Sequence, residues 1–110
     1  MKWLELSNLA DLEKANELSK TQKVLLFKHS TRCSISAMAL NRLEGKWKDT
    51  DSGHLVPFYL DLLNHRDISS QIASMYSVPH ESPQALIIHH GECIYSATHS
   101  GIRYEDLLIK

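Results

Sequence analysis

The period of the apolar positions changes several times along this chain, and each change marks an element. Leu9, Leu12, Ala15 and Leu18 recur at helical spacing, with Ser7 or Asn8 ahead of them as a cap. Lys23–His29 then carries four consecutive apolar residues, Val24 to Phe27, the pattern of a strand buried on both faces. Beyond the turn residues Ser30 and Thr31 the helical period returns. Ile35, Met38, Leu43 and Trp47, with Ala39 between them, predict one apolar helix face. A polar stretch, Lys48–His54, leads into a second strand, Leu55–Leu62. A third helix opens at Asn64 or His65 and carries Ile68, Ile72, Met75 and Tyr76. The strand Gln84–His89, the turn His90-Gly91-Glu92 and the strand Cys93–Ala97 read as a hairpin. Ile102, Leu107 and Leu108 close the chain as a short helix.

The order is therefore α-βαβ-α-ββ-α. A helical crossover makes the first strand pair parallel and right-handed, and the hairpin makes the last pair antiparallel. This is the order of an α/β thioredoxin-like fold, with a central four-stranded mixed sheet, flanking helices and an extra helix at the N-terminus. One domain over residues 1–110 accounts for it. Pro57 adds a constraint, because proline cannot donate to a ladder. The second strand should lie at a sheet edge or hold its proline at an unpaired position, and in this fold that strand is an edge strand.

Composition narrows the function by exclusion. The formal charge is -1, and no basic block points to nucleic acid or an anionic membrane. No apolar stretch approaches the ~20 residues of a membrane span; Leu55–Leu63 is interrupted by Pro57 and Asp61. The N-terminal MKWLELSNLADLEK carries acids where an export signal needs an unbroken apolar run. Two cysteines, Cys33 and Cys93, make no disulfide scaffold, so reduced thiols in the cytoplasm are expected.

Cys33 follows a buried strand and opens a helix. A thiol with the ordinary pKa of about 8.5 is a weak nucleophile at neutral pH. Unpaired N–H groups and the helix dipole in a first helical turn favour its anion, and Lys28, His29 and Arg32 add positive charge nearby. Such a thiolate suits thiol–disulfide exchange. Cys33-Ser34-Ile35-Ser36 is a CxxS arrangement: Ser36 cannot resolve a mixed disulfide as a second cysteine would, but its hydroxyl can donate to the Cys33 thiolate. A solvated or back-bonded Ser36 is the plainer reading. Pro83 has the place of the cis-proline that opens the strand facing the cysteine in thioredoxin-like folds, while Pro79 reads as a helix stop. Cys93, beside the hairpin turn, reads as a strand filler rather than a resolving thiol. His89 and His90 should point to opposite faces of their strand and so cannot chelate together. No zinc motif occurs. A cysteine phosphatase would need an arginine where Ala39 stands.

KHSTRCSIS followed by VPHESPQALI resembles the monothiol bacilliredoxins, thioredoxin-like proteins of the bacillithiol system (the YtxJ-type family). The resemblance extends over the WLEL start, FYLDLL and Thr98–Ile102. It implies a single-cysteine thiol-disulfide oxidoreductase that removes bacillithiol from S-thiolated client proteins. Cys33 would attack the bacillithiol sulfur, free the client and hold bacillithiol until another thiol removes it, with Ser36 as the non-resolving partner. The resemblance also implies a substrate groove beside Thr31, Arg32, Ser82, Pro83 and Gln84. It implies no tightly bound cofactor and no metal, with bacillithiol as co-substrate. An iron–sulfur cluster bridged by one cysteine rests on fold analogy alone.

Two departures stand out. Ser34 replaces the proline the family commonly has after its cysteine, which loosens the turn. Arg32 replaces a small polar residue and is either a cation for the malate carboxylates of bacillithiol or a solvated surface charge. The rival expectation is a catalytically quiet thioredoxin-fold binding module that uses the Pro83 groove.

Overall fold

The computed structural model covers residues 1–110 and builds one five-stranded sheet with helices on both faces. In chain order the elements are β1 (Leu4–Glu5), α1 (Leu9–Leu18), β2 (Lys23–His29), α2 (Ser34–Lys46), β3 (Leu55–Asp61), α3 (Arg66–Tyr76), β4 (Gln84–His89), β5 (Glu92–Thr98) and α4 (Tyr104–Leu108). Short 3-10 turns at Asp49–Gly53 and His99–Gly101 join them. The spatial order is β1-β3-β2-β4-β5, with β2 parallel to β3 and antiparallel to β4. This is the thioredoxin-like α/β architecture, with one strand more than the four expected.

The extra strand changes the role of Pro57. Because β1 pairs with β3, Leu4 opposite Phe58, β3 is not an edge strand. The Leu6 N–H donates to the Tyr59 carbonyl at 2.9 Å, so Tyr59 turns its backbone polar groups towards β1. By alternation Pro57 presents the same side, one residue before that ladder begins. Its missing N–H therefore falls where no ladder partner stands, and the second alternative allowed by the sequence holds.

Alternation along β2 divides the core. Val24 and Leu26 face α1 and α3, packing with Leu12, Ala15, Ile68, Ile72 and Tyr76. Leu25 and Phe27 face α2 and α4, packing with Ala39, Leu43, Ile102 and Leu107. The same alternation sends the next two residues, Lys28 and His29, to opposite faces.

The inner face of α2 differs from the apolar pattern. Ile35 and Met38 are 53% and 61% exposed, and the buried positions are Ser36, Ala39 and Leu43. A serine takes an inward position because its hydroxyl finds partners there. In α1, Leu12 and Ala15 are buried while Leu9 is exposed; the Asn8 side chain caps the helix by accepting from the Asp11 N–H at 2.9 Å.

At the hairpin, His90 and Gly91 both have positive φ, 54° and 74°, as a two-residue turn of the right twist requires. The tip is clamped to the end of α1, where the His90 and Gly91 N–H groups donate to the Ser19 carbonyl and hydroxyl at 2.7 and 3.1 Å. A bulge between Ile87 and Ile88 shifts the register, so Cys93 opposes Ile88 and Tyr95 opposes Ile87.

Candidate active site

The turn after β2 is closed by the Cys33 N–H donating to the Ser30 carbonyl at 3.1 Å. Cys33 is the N-cap of α2, in extended backbone conformation, half-buried, and its side chain makes no capping bond. The amides of Ser34, Ile35 and Ser36 precede the first intrahelical bond, which the Ala37 N–H makes to the Cys33 carbonyl at 3.0 Å. A negatively charged sulfur at the N-cap would face these unpaired donors. Thr31 and Arg32 are exposed beside it, and Arg32 forms no ion pair.

Ser36 lies wholly inside, and no hydrogen bond joins it to Cys33. Its Oγ accepts from the Ser30 N–H at 3.1 Å and lies 2.7 Å from His29 Nδ1. With Nδ1 unprotonated the hydroxyl donates to it and the ring keeps its proton on Nε2; with Nδ1 protonated the ring donates and the hydroxyl accepts from both the ring and the Ser30 N–H. Burial holds the His29 pKa below its ordinary value, against the opposing pull of Asp61 and Glu44. At neutral pH this ring is uncharged, so it is not the cation expected beside Cys33. Lys28, the second of those expected cations, points to the other sheet face. It is completely buried, its Nζ is 3.4 Å from His80 Nδ1, and burial lowers its pKa to about 8. The Ser69 hydroxyl lies 3.0 Å from the same His80 nitrogen.

The pairing of Lys28 with Gln84 brings the start of β4 to the sheet end where β2 runs into the Cys33 turn. The Ser82–Pro83 peptide just before β4 is cis. The Pro83 carbonyl accepts from the His99 N–H at 3.1 Å, while the Ser82 backbone makes no backbone hydrogen bond. The Ser82 hydroxyl and Gln84 Oε1 are buried without partners; Gln84 Nε2 donates to the Pro79 carbonyl at 3.1 Å. Asp61 ends β3 opposite His29, with Oδ2 accepting from Asn64 Nδ2 at 2.7 Å and Oδ1 buried and unpaired.

Residues 4–107 match the family described as monothiol bacilliredoxin BrxC. The chain belongs to that family. A solved structure described as an oxidoreductase candidate with a thioredoxin fold is 32% identical, with a TM-score of 0.82 over 94% of this chain and 88% of that one. Thioredoxins of Malassezia sympodialis and Trypanosoma brucei brucei are each 12% identical, with TM-scores of 0.76 and 0.73. Each match covers 98% of this chain and 86% of the thioredoxin, and shares its fold. Membership of the bacilliredoxin family and the thioredoxin-fold oxidoreductase likeness make this a thiol redox protein whose family implies a small-thiol partner.

The second cysteine of this bacilliredoxin lies elsewhere. Cys93 opposes Ile88 at the far end of β4, roughly 16 Å along the strand from Pro83. Its thiol donates to the Tyr95 carbonyl at 3.3 Å, and burial pushes its pKa up. Both cysteines are free. The His89 and His90 rings do not part to opposite faces: their centroids stack at 3.8 Å, because His90 has left the strand for the turn. No group of three metal-ligating side chains forms anywhere, and no helix is long and apolar enough to cross a membrane. Sequence reasoning missed the Ser36–His29 bond and the facing Asp61. Only the tandem FKH/FYLD strand ends, each with a polar residue after an apolar run, hint at them.

Proposed function

We propose that this bacilliredoxin reduces bacillithiolated cytoplasmic proteins through Cys33 alone. The Cys33 thiolate attacks the bacillithiol sulfur of a client–bacillithiol disulfide. The S–S bond breaks, the client cysteine leaves as its thiolate, and a new disulfide joins Cys33 to bacillithiol. A further thiol then attacks that disulfide, taking the bacillithiol and returning Cys33 reduced.

The observation that carries this reading is the lone position of Cys33. It is half-buried at the N-cap, ahead of amides that have no backbone acceptor, and has no second cysteine to close an internal disulfide: Ser36 stands at the CxxC position and Cys93 at the far end of β4. The unpaired Ser82 backbone beside cis-Pro83 supports docking of an extended client segment, with Gln84 and Thr31 flanking it. The unpartnered Arg32 guanidinium supports recognition of the malate carboxylates. The chemistry needs no resident cofactor, metal, nucleic acid or membrane.

Intact-mass spectrometry after brief incubation with a bacillithiolated client tests it. One bacillithiol should move to the wild type, map to Cys33, and be absent from Cys33→Ser, while the client returns to its reduced form. A Cys33 that stays free, with no client reduced, sinks the catalytic reading. It leaves the Pro83 groove as that of a quiet binding module.

A further inference from the structure

We infer that the cavity between α3 and the loop leading into β4 binds a carboxylate, with Lys28, Arg66 and His80 supplying its positive side. The link of this site to the reaction rests on Cys33 being the reacting thiol; the anion site itself does not.

The cavity has a volume of about 270 Å³ and is lined by Leu62, Arg66, Ser69, Ser70 and His80. Lys28 stands behind it. The side chain lies on the sheet face covered by α3 and is wholly buried, with Nζ 3.4 Å from His80 Nδ1. An ammonium has three donors and no lone pair. His80 Nδ1 is the one acceptor that Lys28 reaches, and at that distance the contact is long. Gln84, opposite Lys28 on β4, does not make up the deficit. Its Nε2 donates to the Pro79 carbonyl and its Oε1 makes no hydrogen bond. Two donors of a buried cation therefore lack a protein acceptor.

The charges around the cavity are unbalanced. Arg66, exposed at the first residue of α3, forms no ion pair. Burial, with the Lys28 and Arg66 charges, holds the His80 ring below its ordinary pKa, against the pull of Glu81. Glu81 is exposed and pairs with neither cation. While Lys28 is charged and the ring neutral, Nδ1 accepts and the ring proton sits on Nε2, away from Lys28. A carboxylate in the cavity takes the Arg66 fork, the serine hydroxyls and this N–H, with Leu62 beside its carbon chain. The low dielectric around Lys28 makes its attraction for that charge stronger than at an open surface.

Lys28 and α3 lie on one sheet face, and α2 with Cys33 on the other; His80 to Pro83 run between them into β4. The carboxylate and the reacting sulfur thus lie on either side of the cis-proline loop. A mixed disulfide can deliver a carboxylate from two sources, the malate end of bacillithiol or an acidic side chain of the client.

The probe is sodium malate at pH 7 and constant ionic strength, added to the full chain and followed by NMR of the His80 ring. Saturable binding should move the His80 signal and raise its inflection. Malamide, which has the shape without the charge, should do neither. Lys28→Met should weaken malate binding about tenfold or more, the loss expected when a buried charged partner is removed. Arg66→Gln, at an exposed position, should weaken it in the same direction and serves if Lys28→Met does not fold. Failure to saturate, or wild-type affinity in these variants, overturns the site and leaves the amine served by water. The source is read from KM for two bacillithiolated peptides, one with an acidic residue near its cysteine and one without. A KM raised in Lys28→Met for both peptides assigns the carboxylate to the small thiol; a KM raised for the acidic peptide alone assigns it to the client. A KM unchanged for both overturns the link to the reaction. Malate binding is read without turnover, so malate bound by a protein whose Cys33 takes no bacillithiol removes the proposed function and keeps the anion site.

Discussion

Lys28 and His29 are neighbours in sequence with opposite surroundings. His29 reaches a serine that satisfies it, whereas Lys28 ends beside another base with no carboxylate in reach. Its ammonium is therefore a buried cost. Its folded pKa of about 8 lies below the unfolded value of 10.5, so from pH 10.5 down to 8 the unfolded chain binds more protons and stability falls. Lys28→Met should raise stability at pH 7 by about 1–2 kcal/mol, after allowance for solvent screening. In urea denaturation this gain should shrink as the pH rises from 8 towards 10.5; a loss at pH 7 would mean that the amine has an anionic partner. The strand run LLFKH made burial at this end legible, but not which residue would find a partner. That depends on Ser36 and His80, which are distant in sequence or on another face.

At the scale of elements, α2 shows where apolar periodicity fails. Ile35, Met38, Leu43 and Trp47 suggest one stripe, yet the helix is turned so that Ser36, Ala39 and Leu43 face the sheet. Polar contacts of Ser36 with His29 and Ser30 fix that rotation, and a hydropathy pattern assigns them no weight. Ile35→Ser and Met38→Gln should each change stability by less than about 0.5 kcal/mol, and Leu43→Ala should cost roughly 2–5 kcal/mol. Thermal unfolding separates these outcomes, and a large loss at Ile35 would restore the other face. β1 escaped notice for a simpler reason: two residues are too few to show a period. The remaining strands and helices lie within a residue or two of their sequence-based bounds, because β2 and β4 are continuous apolar runs and α3 repeats cleanly at 68, 72 and 76.

For the molecule as a whole, acid should be the weak side. Burial depresses both His29 and His80 below the ordinary 6.5. Between those folded values and 6.5 the unfolded chain binds more protons, so stability is fully present above pH 6.5 and declines as pH falls below it. Denaturant midpoints at pH 7.5 should exceed those at pH 5.5, and His29→Asn should remove part of the difference. A flat profile would show that neither ring is held neutral. Fold order and the turn carrying Cys33 were legible at this scale because each is local in sequence. The assembly of Ser30, Ser36, His29 and Asp61 was not, since it joins the ends of two strands to the first turn of a helix.

β2 is bonded to β3 on one side and β4 on the other, with a helical layer over each face, and it runs directly into the uncapped start of α2. In deuterated solvent the amides of Val24 to Phe27 should therefore exchange only through opening of the whole molecule. Those of Ser34 and Ile35, with no acceptor, should exchange at once. A single peptide spanning this junction would carry the slowest and among the fastest clocks in the protein. Occupation of Cys33 by a small thiol would be read as slowing at one end of that peptide with no change at the other.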